Sequence, residues 1–505
     1  MKKPSSPIKI AHCGIGLGSG GGIPRMDTFH HRFLNRDVFE PVFVIPNRPD
    51  PADVPFDPSM EYIYTGADDR FSKLVEIFSG VDIVQFPGGF SPAICEAARQ
   101  ARVPALVETM HLCEPGQLYP DIDVTICVSE TVRKYQPDQS KTAVVLNGID
   151  LAEFPFREQP APGNRVVVLE SARREKPKHF HLDELAEELL PLDPRLELWL
   201  AGRNQTGPST GRVKFMGLSG DMGALYAKAD IMLLVSKVEP FGLVALEAMA
   251  CGALPIVAGD GGMAEIVTHG VDGWIVKGDD RRDIADTVKQ ALAIRGTPLW
   301  EQMRRAAREK VEKRFDARHC VAGYEKIYLE LLEKKGRRKD HGPFTPRPTP
   351  ETALDDAVNH FNIGDWQGIE QDIKQMADST GLFTIPLCAK VAADLGMQAF
   401  ARGENELAER VFEKLFRSGL RGKNWMRQWA SITPEGELKL SALAELVRLE
   451  PGNPETVMLY AEALIMAGRM DEALTALAEG ALLNPIATEL SETLELLKRK
   501  LAGNR

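Results

Sequence analysis

The stretch Lys237–Gly262, KVEPFGLVALEAMACGALPIVAGDGG, sets Glu239 and Glu247 eight residues apart around Pro-Phe-Gly. Just before it, DIMLLVS (230–236) is an apolar run of strand length, so KVEPFG reads as that strand's exit loop. Pro240 fixes its own backbone angle and keeps Glu239 out of a regular helix, whereas Gly242 permits a close approach of backbone to ligand. A helix over 242–251 then carries Glu247 about one turn inside it, and LPIVAG (254–259) supplies the next apolar strand. Strand, loop, helix and strand in this order make an α/β unit on a parallel sheet, whose ligands sit at the carboxyl ends of the strands.

The same alternation extends in both directions. IKIAHCGI (8–15), FEPVFVIP (39–46), VDIVQFPG (81–88), VPALVETM (103–110) and DVTICVS (123–129) are compact strand candidates, with helices over 74–78 and SPAICEAARQA (91–101) between them. This first series closes near TAVVLNGID (142–150), and FREQPAPGN (156–164) reads as a linker. A second series follows in RVVVLES (165–171), LELWLAG (196–202), VKFMG (213–217), DIMLLVS, LPIVAG and GWIVKG (273–278), with helices over 218–228, 242–251, 262–268 and 281–294. Beyond residue 300 the chain is helical and charged. The run KKGRRKDHGPFTPRPTP (334–350) reads first as a solvated linker and second as a patch for lipid headgroups. GENELAERVFEKLF (403–416) and GRMDEALTALAEGALLNP (468–485) resemble each other, and Glu450-Pro451 and Asn484-Pro485 lie 34 residues apart, the tetratricopeptide period. The expected organisation is an α/β domain over 1–155, a second α/β domain over 163–332, a basic and proline-rich linker over 333–350, and an all-α helical-repeat module over 351–505.

The totals limit the partners. A net charge of -11 over 505 residues argues against nucleic acid as a partner. Seven cysteines form no C-x-x-C pair and read as buried thiols of a reducing compartment, without a metal role. The amino-terminal residues turn to glycine before an apolar signal core forms, and no run reaches the length of a membrane span, so a cytoplasmic protein is expected, with the basic run as a second reading at the inner membrane face.

Paired carboxylates do not bind a diphosphate directly; they suit hydroxyl groups, which sugar rings at both ends of a ligand would supply. The competing reading is a solvated acidic pair, but Glu247 stands alone on an otherwise apolar helix, where an interior charge needs a purpose. Cations for the phosphates come from ESARREKPKHFH (170–181), in which Arg173 and Lys178 lie at a strand exit, while Arg174 and Lys176 suit a solvated run. The loop DGGMAEIV (260–267) offers the amides of Gly261, Gly262 and Met263 at a helix start. In the first series, GLGSGGG (16–22) follows the first strand, yet it lacks a Gly-Lys-Ser/Thr sequence and no acid ends the second strand, so it reads as a mobile turn or as a loop over a phosphate or acceptor. His111 ends the strand VPALVETM at the same rim; His30 and His31 read as structural.

With these residues in place, EPFGLVALEAMACGALPIV, together with SKV, GGMAEIVTHGVDGWIV, VVLNGID and CVSETV, resembles the signature of the retaining glycosyltransferases of family 4 over residues 8 to 332. The resemblance implies the GT-B fold: two Rossmann-like domains facing a cleft, to which this chain adds its helical module. It implies that Glu247 holds the ribose hydroxyls of a nucleotide sugar and that Glu239 contacts the donor sugar. It also implies that Arg173 and Lys178 clamp the diphosphate, that 261–263 hold sugar or phosphates, that His111 lies near the donor sugar, and that the loop with Gly20 and Gly21 borders acceptor and diphosphate. The sequence departs from the family pattern at Ala172, His179 and Leu112. The activity so implied is metal-independent sugar transfer with retention, from a nucleotide diphosphate sugar, by family frequency a UDP-sugar, and no further cofactor. The acceptor is open among a glycan, a lipid-linked sugar, a small metabolite and a protein. A GT-B sugar phosphorylase and a scaffold with a degenerate cleft, its helical module binding a protein or a second copy, are the alternatives.

Overall fold

The computed structural model describes residues 6–14, 22–46, 57, 59–66, 70–89, 91–158, 165–171, 182–202, 209, 211–217, 219–235, 239–259, 261–276, 281–338, 360, 368, 386–417, 420–451, 453–484 and 487–503. The chain forms two compact units, Met1–Pro346 and Arg347–Arg505.

The first unit contains two lobes, each built on a parallel sheet. In the first lobe β1 (Ile8–Cys13), β2 (Phe39–Ile45), β3 (Tyr62–Tyr64), β4 (Ile83–Pro87), β5 (Ala105–Met110), β6 (Val124–Cys127) and β7 (Thr142–Val144) lie in the order β3-β2-β1-β4-β5-β6-β7. In the second, β8 (Val166–Ser171), β9 (Leu196–Ala201), β10 (Val213–Gly217), β11 (Ile231–Leu234), β12 (Leu254–Ala258) and β13 (Trp274–Val276) lie in the order β10-β9-β8-β11-β12-β13. The order reverses direction between β1 and β4, and again between β8 and β11, which opens a crevice at each place. The central strands are continuous apolar runs because helices cover both faces, and β5, β11 and β12 are buried along their whole length. β3 is the strand that sequence reading missed. It is a three-residue edge pairing Phe43 with Tyr62, too short to show a period of its own.

Two features depart from the expected division at residue 332. Helix Ala317–Lys335 returns to the first lobe, where Ala317, Cys320, Val321, Tyr324, Tyr328 and Leu332 pack with Ile8, Ile10, Phe39, Ile83 and Val107. The crossing is pinned where the Ile149 amide donates to Phe315 O at 2.9 Å and the Ala317 amide to Ile149 O at 2.9 Å. Its neighbour, the start of the basic run, is exposed at Lys334 and Lys335 yet tied to the first lobe by ion pairs and hydrogen bonds. Arg337 donates to Asp82 at 2.6 Å and to the carbonyls of Ser6 and Pro7, Arg338 donates to Ala101 O at 3.0 Å, and Lys335 pairs with Asp123 at 2.5 Å. Asp82 and Asp123 precede β4 and β6, so the amino edge of the first sheet collects these cations. Residues 339–350 lie outside the described residues.

In the second unit, helices Pro386–Ala401, Asn405–Arg417, Lys423–Ile432, Glu437–Leu449, Pro454–Met466, Met470–Leu483 and Thr488–Gly503 succeed one another. Asn453 caps one of them, its side chain accepting from the Thr456 amide at 3.0 Å, with Pro454 at the first helical position. Small residues at the contacts, Ala461, Ala463, Ala473 and Ala476, let Leu440, Leu443, Leu464, Leu477 and Leu490 interdigitate in one core.

Candidate functional site

After β11 the chain re-enters the described residues at Glu239, which forms a parallel bridge to Gly261 on the loop beyond β12. The Gly262 amide donates to Glu239 O at 2.8 Å, tying the two strand-end loops together. Gly261 has φ 108°, and a Cβ there would stand 2.5 Å from Glu239 O. Gly242, at φ 100°, begins helix Leu243–Cys251 with its Cα against Met263, whose Cγ a Cβ would meet at 2.9 Å. Glu239, Gly242, Gly261, Gly262 and Met263 are therefore brought together. The expected role of one of them changes: the Gly262 amide holds the loop and is not turned to a ligand.

Glu247 lies one turn into helix Leu243–Cys251 and is 4% exposed, between Leu246 and Ala248, which are wholly buried. The pair of uncancelled carboxylates inferred from sequence is corrected here. Arg25, on α1 (Gly22–Phe33) of the first lobe, donates from Nη1 to Glu247 Oε1 at 2.6 Å. The Tyr226 hydroxyl donates to Ser171 Oγ at 3.2 Å; burial first, and then the nearby Glu247 charge, push its pKa well above the ordinary phenol value. Arg25 escaped sequence reading because its partner is 222 residues away.

Two more contacts join the lobes beside this pair. Ser129 Oγ donates to Pro240 O at 2.7 Å while accepting from the Val132 amide. Glu265 accepts from the amides of Glu130 and Thr131 at 2.9 and 2.7 Å and from the Thr131 hydroxyl at 2.7 Å. Thus CVSETV of the first lobe meets both EPFG and the 261–266 segment of the second.

On the first lobe a pocket opens at the β1/β4 crevice, lined among others by His12, Asp27, Gln85, Thr109 and His111. His111 follows β5, half-buried, and burial lowers its pKa to about 4, so it is a neutral imidazole at neutral pH. His30, which sequence reading set aside as structural, is wholly buried and stacks on His12 with ring centroids 4.4 Å apart. Burial lowers both of their pKa values, that of His30 to about 3. Asp27 was not singled out from sequence. Burial raises its pKa to about 8, so its carboxyl is mostly protonated at pH 7.

A pH dependence follows. Unfolded Asp27 titrates near 3.8 and folded Asp27 near 8, so between these values the folded chain keeps a proton that the unfolded chain has lost. Its contribution to stability is complete below the lower value and declines as pH rises through the interval. His12 and His30 act in the opposite sense, losing stability as pH falls below the ordinary imidazole range. Asp27→Asn should therefore raise the thermal midpoint at about pH 8 more than at about pH 5. An equal change at both pH values would show that Asp27 ionises normally in the fold.

Gly20, Gly21, Arg173 and Lys178 lie outside the described residues. Among the described residues, Cys13, Cys95, Cys127, Cys251 and Cys320 are buried free thiols, and no group of three or more histidine, cysteine or acidic side chains is arranged to hold a metal. Nor is any described helix long and apolar enough to cross a membrane.

Comparison with known proteins agrees with this geometry. Residues 153–310 match the model of glycosyl transferases group 1, and residues 440–487 match a tetratricopeptide repeat model. The chain is 39% identical over 128 residues to N-acetyl-alpha-D-glucosaminyl L-malate synthase of Bacillus anthracis, covering 25% of this chain and 33% of that protein. It is 32% identical over 238 residues to D-inositol 3-phosphate glycosyltransferase of Geodermatophilus obscurus, covering 41% and 52%. The chain thus spans between one third and about half the length of these curated relatives. Among solved structures, a glycosyltransferase from Rickettsia africae superposes with TM-score 0.54 at 18% identity, covering 65% of this chain and 99% of that one. Anabaena HepE in complex with UDP-glucose does so with TM-score 0.51 at 20% identity, covering 65% and 100%. The fold is GT-B. Its two lobes face a cleft across which Arg25 of the first lobe meets Glu247 of the second, and an all-helical repeat module follows.

Proposed function

We propose that this chain is a retaining glycosyltransferase that moves a sugar from a nucleotide diphosphate sugar, a UDP-sugar by preference, to an acceptor hydroxyl. The observation that carries the reading is the Glu239–Gly261 bridge beside Glu247: two carboxylate residues and a glycine loop, held together at strand ends and facing the first lobe. The resemblance to a glucosaminyl malate synthase and an inositol phosphate glycosyltransferase supports it, as does the UDP-glucose held by the Anabaena protein.

In this reading Glu247 accepts from the ribose hydroxyls and Glu239 lies near the hydroxyls of the transferred sugar. His111, as a neutral imidazole, hydrogen-bonds that sugar from the first lobe. Arg173 and Lys178 neutralise the diphosphate, so the transfer requires no metal. The bond from the anomeric carbon to the phosphate oxygen breaks and a bond to the acceptor oxygen forms on the same face. The acceptor proton passes to the departing phosphate oxygen, and the two cations stabilise the charge growing there. A nucleoside diphosphate and a glycoside of unchanged anomeric configuration leave. The domain limits 1–155, 163–332, 333–350 and 351–505 belong to the same proposal, with helix Ala317–Lys335 assigned by its packing to the first lobe. The helical module binds an acceptor or a protein partner.

Calorimetric titration of a nucleotide-sugar panel in EDTA tests the reading. Saturable binding of one donor, followed by transfer with retention seen by NMR, is the expected result. Turnover that demands inorganic phosphate would replace it with a phosphorylase. Failure of every donor, with and without acceptor, would leave a binding scaffold.

A further inference from the structure

We propose that Arg25 of the first lobe is a positioning residue for nucleotide binding, setting the carboxylate of Glu247 to receive the ribose diol. The proposal rests on the reading of Glu247 given above. Helix Leu243–Cys251 is buried on nearly every side, since Ala245, Leu246, Ala248, Met249, Ala250 and Cys251 are all buried. A carboxylate on such a helix is stable in its charged form only beside a cation, and the second lobe's described residues place none on it. Arg25 supplies the charge from across the cleft, 2.6 Å away.

The Arg25 guanidinium is itself confined. It lies over the Phe154 ring, 5.6 Å from the centroid, on the segment that leads from the first lobe into the second. Phe154 is 2% exposed, so this face does not yield easily. The hydrogen bond from Arg25 to Oε1 thereby fixes the carboxylate from the first lobe.

The chemistry of a vicinal diol makes the charge state decisive. An ionised carboxylate is an acceptor only and has about four lone-pair sites, so it can accept two hydroxyl hydrogens while keeping Arg25. A rotated Glu247 would forfeit at least one of the three. Arg25 stands three residues into α1, so movement of the first lobe carries the guanidinium with it. Nucleotide affinity thereby depends on both lobes.

The test compares UDP with 2′,3′-dideoxy-UDP by calorimetry, or the GDP pair if guanine is the base, in wild type, Arg25→Gln, Arg25→Lys and Glu247→Gln. Wild type is expected to prefer the ribonucleotide by about tenfold or more, one charge-assisted hydrogen bond at least. In Arg25→Gln that preference should shrink to within about twofold, as in Glu247→Gln, and Arg25→Lys should restore part of it. Equal weakening of both ligands in Arg25→Gln, with the preference kept, would overturn the proposal and leave Arg25 as a support of the fold. Absence of any preference in wild type would instead overturn the ribose reading of Glu247, and the proposal with it. Should Arg25→Gln fail to fold, Arg25→Lys decides alone: its shorter, single-point donor must reduce the preference, and an unchanged ratio rejects the proposal.

Discussion

Glu247→Gln should weaken nucleotide-sugar binding by about two orders of magnitude while the chain remains folded. Two ribose hydroxyls donating to an ionised carboxylate make charge-assisted bonds, each worth about 1.5–3 kcal/mol, and the amide keeps one weaker acceptor in their place. A net loss of about 2.7 kcal/mol is a hundredfold in Kd. The amide nitrogen also meets Arg25 where an oxygen now accepts its hydrogen bond, which removes the charge neutralisation between the lobes. Calorimetry with the best donor, beside circular dichroism of the variant, measures both effects. A Kd within about twofold of wild type would remove Glu247 from the nucleotide site.

The second large effect is expected at a residue without a side chain. Gly261→Ala should reduce turnover at least about a hundredfold, far more than it reduces the thermal midpoint. The new Cβ would lie 2.5 Å from Glu239 O at a backbone φ of 108°, so the loop has to move away from Glu239. That movement breaks the hydrogen bond from the Gly262 amide to Glu239 O and shifts Glu239, and misplacement of a reacting group by about 1 Å can cost a hundredfold in rate. Gly270→Ala provides the control. Its φ of 74° is also left-handed, but a Cβ there meets nothing within 4 Å. It should lower stability by about 1–2 kcal/mol and leave turnover near wild type. Comparable losses of turnover in the two variants would refer the effect to backbone strain in general, not to the Glu239–Gly261 bridge.

Both predictions concern residues that were legible in one dimension. Strand-length apolar runs with glycine at their exits located the sheets because a buried parallel strand must be apolar throughout, and the loop after β11 inherits the cleft from that position. β3 was not legible, since its three residues take their strand conformation from pairing with β2 and not from a pattern of their own. Asp27 was passed over for a related reason. An aspartate in an amphipathic helix reads as a solvated charge until the pocket at β1/β4 shows it enclosed.

Local pattern alone determined that this chain carries two α/β lobes and a helical repeat module, and that Glu239 and Glu247 belong to one strand-end loop and helix. Side-chain periodicity reports burial element by element, and burial is what builds sheets and helices. Only the tertiary structure decided which charges meet: Arg25 with Glu247 across the cleft, Arg337 with Asp82, and Glu265 with the amides of Glu130 and Thr131. It also decided that helix Ala317–Lys335 closes the core of the first lobe. An ion pair between distant segments leaves no periodic trace, because each partner by itself is indistinguishable from a solvated charge. Its energy arises when folding excludes water from both at once.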